Sequence, residues 1–189
     1  MSNSECLGLP ACGKSWVMEN KLRNRGYRCI SISSLNKIFK GCVGVVGLIL
    51  YFRVIPKFYA IYYANDSITS KMVVFKTLIL FSRLGILKFF KLSVVDEGPL
   101  QALWGTIWKM ELNDTNLLLV SEIVDLITKG QTIIYIMSKK NEYKRRVALR
   151  ARKHPFSIAN EIDVRSGRMW LALILKLARK NAPVVLIKN

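Results

Sequence analysis

The sequence predicts a three-layer α/β fold: a central parallel sheet of about five strands between layers of helices, with a long helical region inserted between the second and third strands. Short β-branched runs alternate with longer stretches of helical spacing along most of the 189 residues. The first run passes into a glycine-rich loop and the third ends in two consecutive acids, the order expected where a ligand site gathers at the carboxyl ends of parallel strands. About half of the residues are hydrophobic. That is enough for a buried core, and the length suits a single domain over 1–189.

Asn3–Leu7 reads as the first strand. Beyond the loop that follows, Val17, Lys21 and Leu22 fall at helical spacing, and Gly26 stands where that helix stops. Tyr27–Ser33 alternates and is β-branched, so it reads as the second strand. Residues 35–89 are long, apolar and interrupted by Pro56 and by the polar stretch 64–71, and they read as several helices forming an acceptor or insert region. Within them Gly41–Phe52 holds twelve uncharged residues, short of the roughly 18–20 that a spanning helix needs. A buried helix is expected there, with contact to a membrane surface or a protein partner through 41–63 as the alternative.

The third strand, within Phe89–Pro99, ends in Asp96 and Glu97 before a helix-starting Gly98-Pro99. Leu100, Leu103, Trp104, Ile107 and Trp108 then share one helical face. The tryptophans read as core residues in preference to a base-stacking platform. A second amphipathic helix, Asn116–Thr128, closes at Gly130. Gln131–Lys139 is a buried strand, Asn141–Lys153 a basic helix, Gly167–Asn181 an apolar helix and Ala182–Asn189 a final strand.

Thirty Lys and Arg against twelve Asp and Glu give a net charge of +18, which points to acidic partners. The excess is spread along the chain and no basic–aromatic stripe accompanies it, so a nucleic-acid partner is disfavoured. Cys6, Cys12, Cys29 and Cys42 show no CxxC spacing and His154 is the only histidine, a composition ill suited to a zinc site. The first ten residues lack the basic and apolar regions of a signal peptide. A cytoplasmic location and free thiols are therefore expected.

Gly8-Leu9-Pro10-Ala11-Cys12-Gly13-Lys14-Ser15 fits the pattern GxxxxGK[ST] between a strand and a helix. Successive backbone N–H groups of such a loop can wrap a polyphosphate, and the helix adds its positive end. Lys14 would reach the terminal phosphates, and Ser15 would offer its hydroxyl to Mg²⁺. Trp16 follows directly and must pack somewhere. At the end of the third strand Asp96 would hold the same ion. Glu97 would activate a water or take a proton from an acceptor. A helix start rich in acids is the plainer explanation of that pair, since the dipole favours it. Gln101 lies one turn on, placed either to contact a substrate or to hydrogen-bond the loop.

Lys139–Lys153 carries eight cations and one acid. Arg146 and Arg150 share a helical face, with Arg145 and Arg152 on a neighbouring one. Guanidinium forks suit phosphoryl oxygens, so 139–157 reads as a lid, with a solvated basic face as the alternative.

The order of these parts resembles the P-loop nucleoside and nucleotide kinases, thymidylate kinase in particular. "CLGLPACGKS", "NKLRNRGYRC", "VVDEG", "TIIYIMSKKNEYKRRVALRAR" and "APVVLIKN" carry the resemblance. "DEGPLQALW" looks like a group of bacterial thymidylate-kinase-like P-loop proteins often linked with surface-polysaccharide genes. The resemblance implies a P-loop NTPase fold, with ATP and Mg²⁺ as cofactors. It implies phosphate contacts from Gly8, Pro10, Ala11, Cys12, Gly13, Lys14, Ser15 and Trp16, the metal beside Ser15 and Asp96, and Arg145, Arg146, Arg150 and Arg152 over the phosphates. Thymidylate kinases show Asp-Arg where this chain has Asp96-Glu97.

The reading that follows is transfer of the γ-phosphoryl group of ATP to a small acceptor. Lys14, Glu97, Arg146 and Arg150 would be the catalytic groups, and Glu97 and Gln101 would face the acceptor. The runner-up is an ATP-hydrolysing accessory protein that acts through a partner, since consecutive acids also suit a water-activating ATPase.

Overall fold

The computed structural model describes residues 3–63, 70–90, 92–149 and 161–189. Five parallel strands form one sheet: β1 Asn3–Leu7, β2 Arg28–Ser31, β3 Ser93–Asp96, β4 Gln131–Met137 and β5 Val184–Lys188, in the order β2-β3-β1-β4-β5. Cys6 stands opposite Asp96 across one ladder, and Leu7 opposite Tyr135 across the other. The ends of β3, β1 and β4 therefore lie level, and the loops leaving them share one edge.

Alternation along the strands divides the core between the two faces. Leu7 and Ile133 join the larger cluster, with Phe58, Leu80, Trp104, Ile123 and Trp170 from helices on that side. Cys6, Val94, Ile134 and Ile136 face the other way, onto Val17, Met18 and Leu22. Ile32, Val43, Ile86, Leu87 and Val95 make a third cluster at the β2 edge.

Helix α1, Lys14–Val17, continues into a π-helical turn over Met18–Leu22 and a 3₁₀ turn over Arg23–Arg25, ending at Gly26 with φ 83°. This corrects the expectation of one regular helix. Asn20 and Asn24 each donate a side-chain hydrogen bond to the carbonyl four residues back, competing with the backbone ladder there. The second strand is also shorter than expected and stops at Ser31. Ser34 Oγ donates to the Ser31 carbonyl and Ser31 meets Ser33 at 2.9 Å, a serine turn that ends the extended run.

The insert consists of α2 Lys37–Leu50, a 3₁₀ turn Phe52–Val54, α3 Ile55–Tyr63 and α4 Ser70–Phe89. Asn36 caps α2 by accepting from the Ile38 N–H. Helix α2 packs on α4 backbone against backbone: a Cβ on Gly47 would strike the Phe81 carbonyl, and one on Gly85 would strike that of Val43. The expectation that Gly41–Phe52 is a buried helix is corrected here. Only Val43, Gly44 and Gly47 of α2 are buried, while Val45, Val46, Ile49 and Leu50 are at least half exposed. Close glycine packing buries one narrow stripe and leaves the opposite face uncovered. No single described helix is long and apolar enough to cross a membrane.

Helix α5, Pro99–Ile107, follows β3, and α6, Asp114–Thr128, is capped by Asn113. Trp104 and Trp108 stack 6.5 Å apart inside the core, and Trp104 Nε1 donates to the Gly167 carbonyl at 2.7 Å. Helix α7, Lys140–Leu149, is the described part of the basic segment, and α8 runs Glu161–Ala178, beginning earlier than expected.

Candidate functional site

A pocket of about 360 Å³ opens at the shared edge of the sheet. Pro10, Ala11, Gly13, Lys14, Ser15 and Trp16 line one side, Asp96, Glu97 and Gln101 the second, and Arg146 and Leu149 of α7 the third. Three segments far apart in the chain thus converge because the strands carrying them are parallel and level.

The loop's shape follows from its sequence. Ala11 has φ 66° and Gly13 φ 90°, two left-handed residues within a tight turn closed by the Cys12 N–H on the Leu9 carbonyl at 3.1 Å. At Gly13 a side chain would also collide with Arg146 and Asn189. Gly8 is the close-approach glycine, where a Cβ would lie 2.7 Å from both Cys12 Sγ and the Ile136 carbonyl oxygen. Lys14 Nζ donates to the Gly8 carbonyl at 3.0 Å, so its ammonium sits across the mouth of the loop. Gly8 and Cys12 shape the loop without lining this pocket. Cys12 is buried, its thiol pushed up by burial, and its carbonyl accepts from Arg146 at 3.2 Å and Asn189 at 3.1 Å. Trp16 is half exposed beside the pocket, with Lys21 over its ring at 5.6 Å, and does not pack in the core.

Asp96 is nearly buried and, among the described residues, its Oδ1 has no hydrogen-bond partner. Burial raises its pKa, as does neighbouring Glu97, while Lys14 and Arg83 oppose the rise. A buried carboxylate oxygen without a donor, sharing a pocket with Ser15, suits a hard cation. The residues present therefore fit the magnesium ion expected from the sequence.

Glu97 takes φ 53°, a left-handed conformation that turns its half-exposed side chain off the strand. Gln101 settles its own alternative in part, because its Oε1 accepts the Gly8 N–H at 3.2 Å. It ties α5 to the loop while also lining the pocket.

Arg146 reaches the pocket from α7, with its Nε held by Glu142 at 2.8 Å. Arg145 is not brought in. It is exposed and engages Glu142 through both Nε and Nη2. Arg150 and Arg152 lie outside the described residues.

Two site residues escape a reading of the sequence. Arg83 of α4 lies 3.5 Å from Glu97 and is largely buried, with Glu5, Asp96 and Glu97 as its charged neighbours. Glu5 of β1 is fully buried, and its two oxygens accept the Leu100 N–H at 3.0 Å and the Gln101 N–H at 2.8 Å. It caps α5 from across the sheet, and Gly98 leaves it room, since a Cβ there would lie 2.5 Å from the carboxyl carbon. Burial raises its pKa to about 7 against the two backbone donors and Arg83. The available signal for Glu5 was a lone acid within a short strand. Arg83 had none, being one cation in a long apolar stretch.

Two further hollows adjoin the first. One of about 450 Å³ runs between α2 and α4, lined by Lys40, Gly44, Phe75, Ser82, Arg83 and Glu97 among others. The other, about 180 Å³, is bounded by Lys76, Arg83, Glu97, Gln101 and Trp104 among others. Glu97 lines all three spaces.

No family model matches the chain, and no curated protein matches it. Among solved structures it is similar to the deoxyadenosine kinase from M. mycoides with bound dATP. The TM-score is 0.56 with 13% sequence identity, over 98% of this chain and 90% of that one. At that identity the likeness concerns the fold, which is that of a P-loop kinase.

Proposed function

We propose that the protein is an ATP-dependent phosphotransferase of the nucleoside and nucleotide kinase type, in the thymidylate-kinase-like group its motifs resemble. The observation that carries this reading is the position of Glu97, whose carboxylate borders the phosphate-loop pocket and both hollows beside it. A hydrolase needs room for water at its base. A hollow of about 450 Å³ with Lys40 and Arg83 on its wall suits a small organic acceptor.

In this reading the N–H groups of Ala11, Gly13, Lys14 and Ser15, which line the pocket, enclose the polyphosphate, and Trp16 flanks it. Lys14 exchanges its bond to the Gly8 carbonyl for phosphoryl oxygens. Ser15 and Asp96 would hold the magnesium ion, which would supply charge neutralisation along the polyphosphate. Arg146, with Arg150 and Arg152 beyond it, balances charge on the transferring group. The acceptor oxygen bonds to the γ-phosphorus as the bond to ADP breaks, and its proton passes to Glu97. Arg83 holds Glu97 in place and Gln101 fixes the loop behind it.

The test is thermal shift and turnover with Mg²⁺ and each nucleoside triphosphate, then with candidate acceptors and the best donor. Phosphorylated acceptor, abolished in Lys14→Ala, is the expected result. ADP release that needs no acceptor and rises only with a protein partner would replace this reading with the accessory ATPase. Full turnover by Lys14→Ala would end both.

A further inference from the structure

We propose that the outward face of α2 rests on an anionic membrane surface. Ile38, Cys42, Val45 and Ile49 run along one side of α2, with Val46 and Leu50 beside them. After Lys37, every exposed side chain of this helix is apolar. Ile38 is 76% exposed and Ile49 69%, and Phe52 continues the patch at 61%. A surface helix ordinarily turns its polar face to water. This one turns apolar side chains outward along its whole length, the mark of an interaction surface.

The charge around the patch selects the partner. Between Glu19 and Asp66 the chain carries eight cations and no acid; of these Lys37 and Arg53 flank the face, while Lys57 is paired with Glu122. Lys37 at one end of the face and Arg53 at the other are exposed and, among the described residues, paired with no acid; Arg53 lies over the Phe52 ring. Apolar side chains framed by cations match the acyl boundary and headgroups of an anionic leaflet. A second copy of a chain with net charge +18 would bring like charges together around the same patch. With 14 residues the helix measures about 21 Å, short of the roughly 30 Å hydrocarbon core. The Gly44, Gly47 and Gly85 contacts hold its inner face on α4. Helix α2 therefore lies along the surface and does not cross it.

The experiment is co-sedimentation of the full chain with vesicles of phosphatidylcholine alone or with roughly 30% phosphatidylserine. The proposal expects binding to the anionic vesicles at least about tenfold tighter than to the neutral ones, weakened by salt. Val45→Glu/Ile49→Glu and Lys37→Glu/Arg53→Glu should each remove it. These positions are exposed, and circular dichroism and thermal unfolding check that both variants fold. A solvatochromic label on Cys42 of a Cys29→Ser chain, with Cys42 exposed on the same face while Cys6 and Cys12 are buried and the half-buried Cys29 is removed, should shift to the blue with anionic vesicles only. Failure of the folded wild-type chain to bind anionic vesicles would overturn the proposal, as would unchanged binding by either double variant. A dimer that Val45→Glu/Ile49→Glu dissociates, without vesicle binding by the wild type, would assign the face to a second copy instead.

Discussion

The guanidinium of Arg83 lies 3.5 Å from the carboxylate of Glu97, joining the inserted helix α4 to the end of the third strand. Arg83 borders the two hollows beside the phosphate pocket and not that pocket itself. Arg83→Gln should therefore lower phosphoryl transfer by more than about tenfold while nucleotide affinity changes less than about threefold. Equal losses in both would place Arg83 on the nucleotide.

Gly13→Ala should fail in two ways. The residue sits at φ 90°, and its new methyl would strike Arg146 and Asn189. A loss of about 1–3 kcal/mol in stability is expected from the backbone alone, with nucleotide binding abolished. Normal binding calorimetry on this variant would contradict the loop geometry.

Glu5 sets a pH dependence. Its folded pKa of about 7 lies above the ordinary 4.5, so the folded chain binds this proton more tightly than the unfolded chain. The stability it contributes is complete below about pH 4.5, declines as pH rises toward 7 and is flat above. The difference is on the order of 3 kcal/mol. Denaturant unfolding across pH 4.5–8 should show that slope, and Glu5→Gln should reduce it, leaving the smaller part due to Asp96, whose pKa burial also raises.

Gln101→Leu removes the acceptor of the Gly8 N–H while roughly keeping volume. Leaving that buried donor unpaired should cost about 1–3 kcal/mol. Nucleotide should bind more weakly because the loop loses its anchor to α5. Amide exchange at Gly8, slow in the parent, should become fast; if it stays slow, another group holds the loop.

How much of this was legible before folding depends on how local each signal is. The glycine loop and the strand ending in Asp96 could be read because each is a short run with its own periodicity and punctuation, and the structure brings them to one edge. Arg83 could not, because its meaning comes from the packing of α4 against the end of β3, across an apolar region without motifs. In the sequence Glu5 is only a lone acid in a short strand. Only the arrival of the α5 N-terminus, nearly a hundred residues on, turns it into a buried cap. Helix α2 misleads for the opposite reason. Apolar residues around its whole circumference suggest burial, yet glycines at Gly44 and Gly47 narrow the contact to one stripe. Arg145 and Arg146 adjoin in sequence, and Glu142 engages both, but only the latter reaches the pocket.

The sheet order has a consequence for how the chain is made. Strand β1 lies at the centre, yet Ser4 meets its first partner only when Val94 has been synthesised, and its second only at Thr132. Until then both edges of β1 are open to other chains, and such distant pairings form slowly. A nascent chain on the ribosome cannot assemble the phosphate loop's surroundings before β4 emerges, so retention on immobilised nucleotide should separate completed molecules from truncated ones.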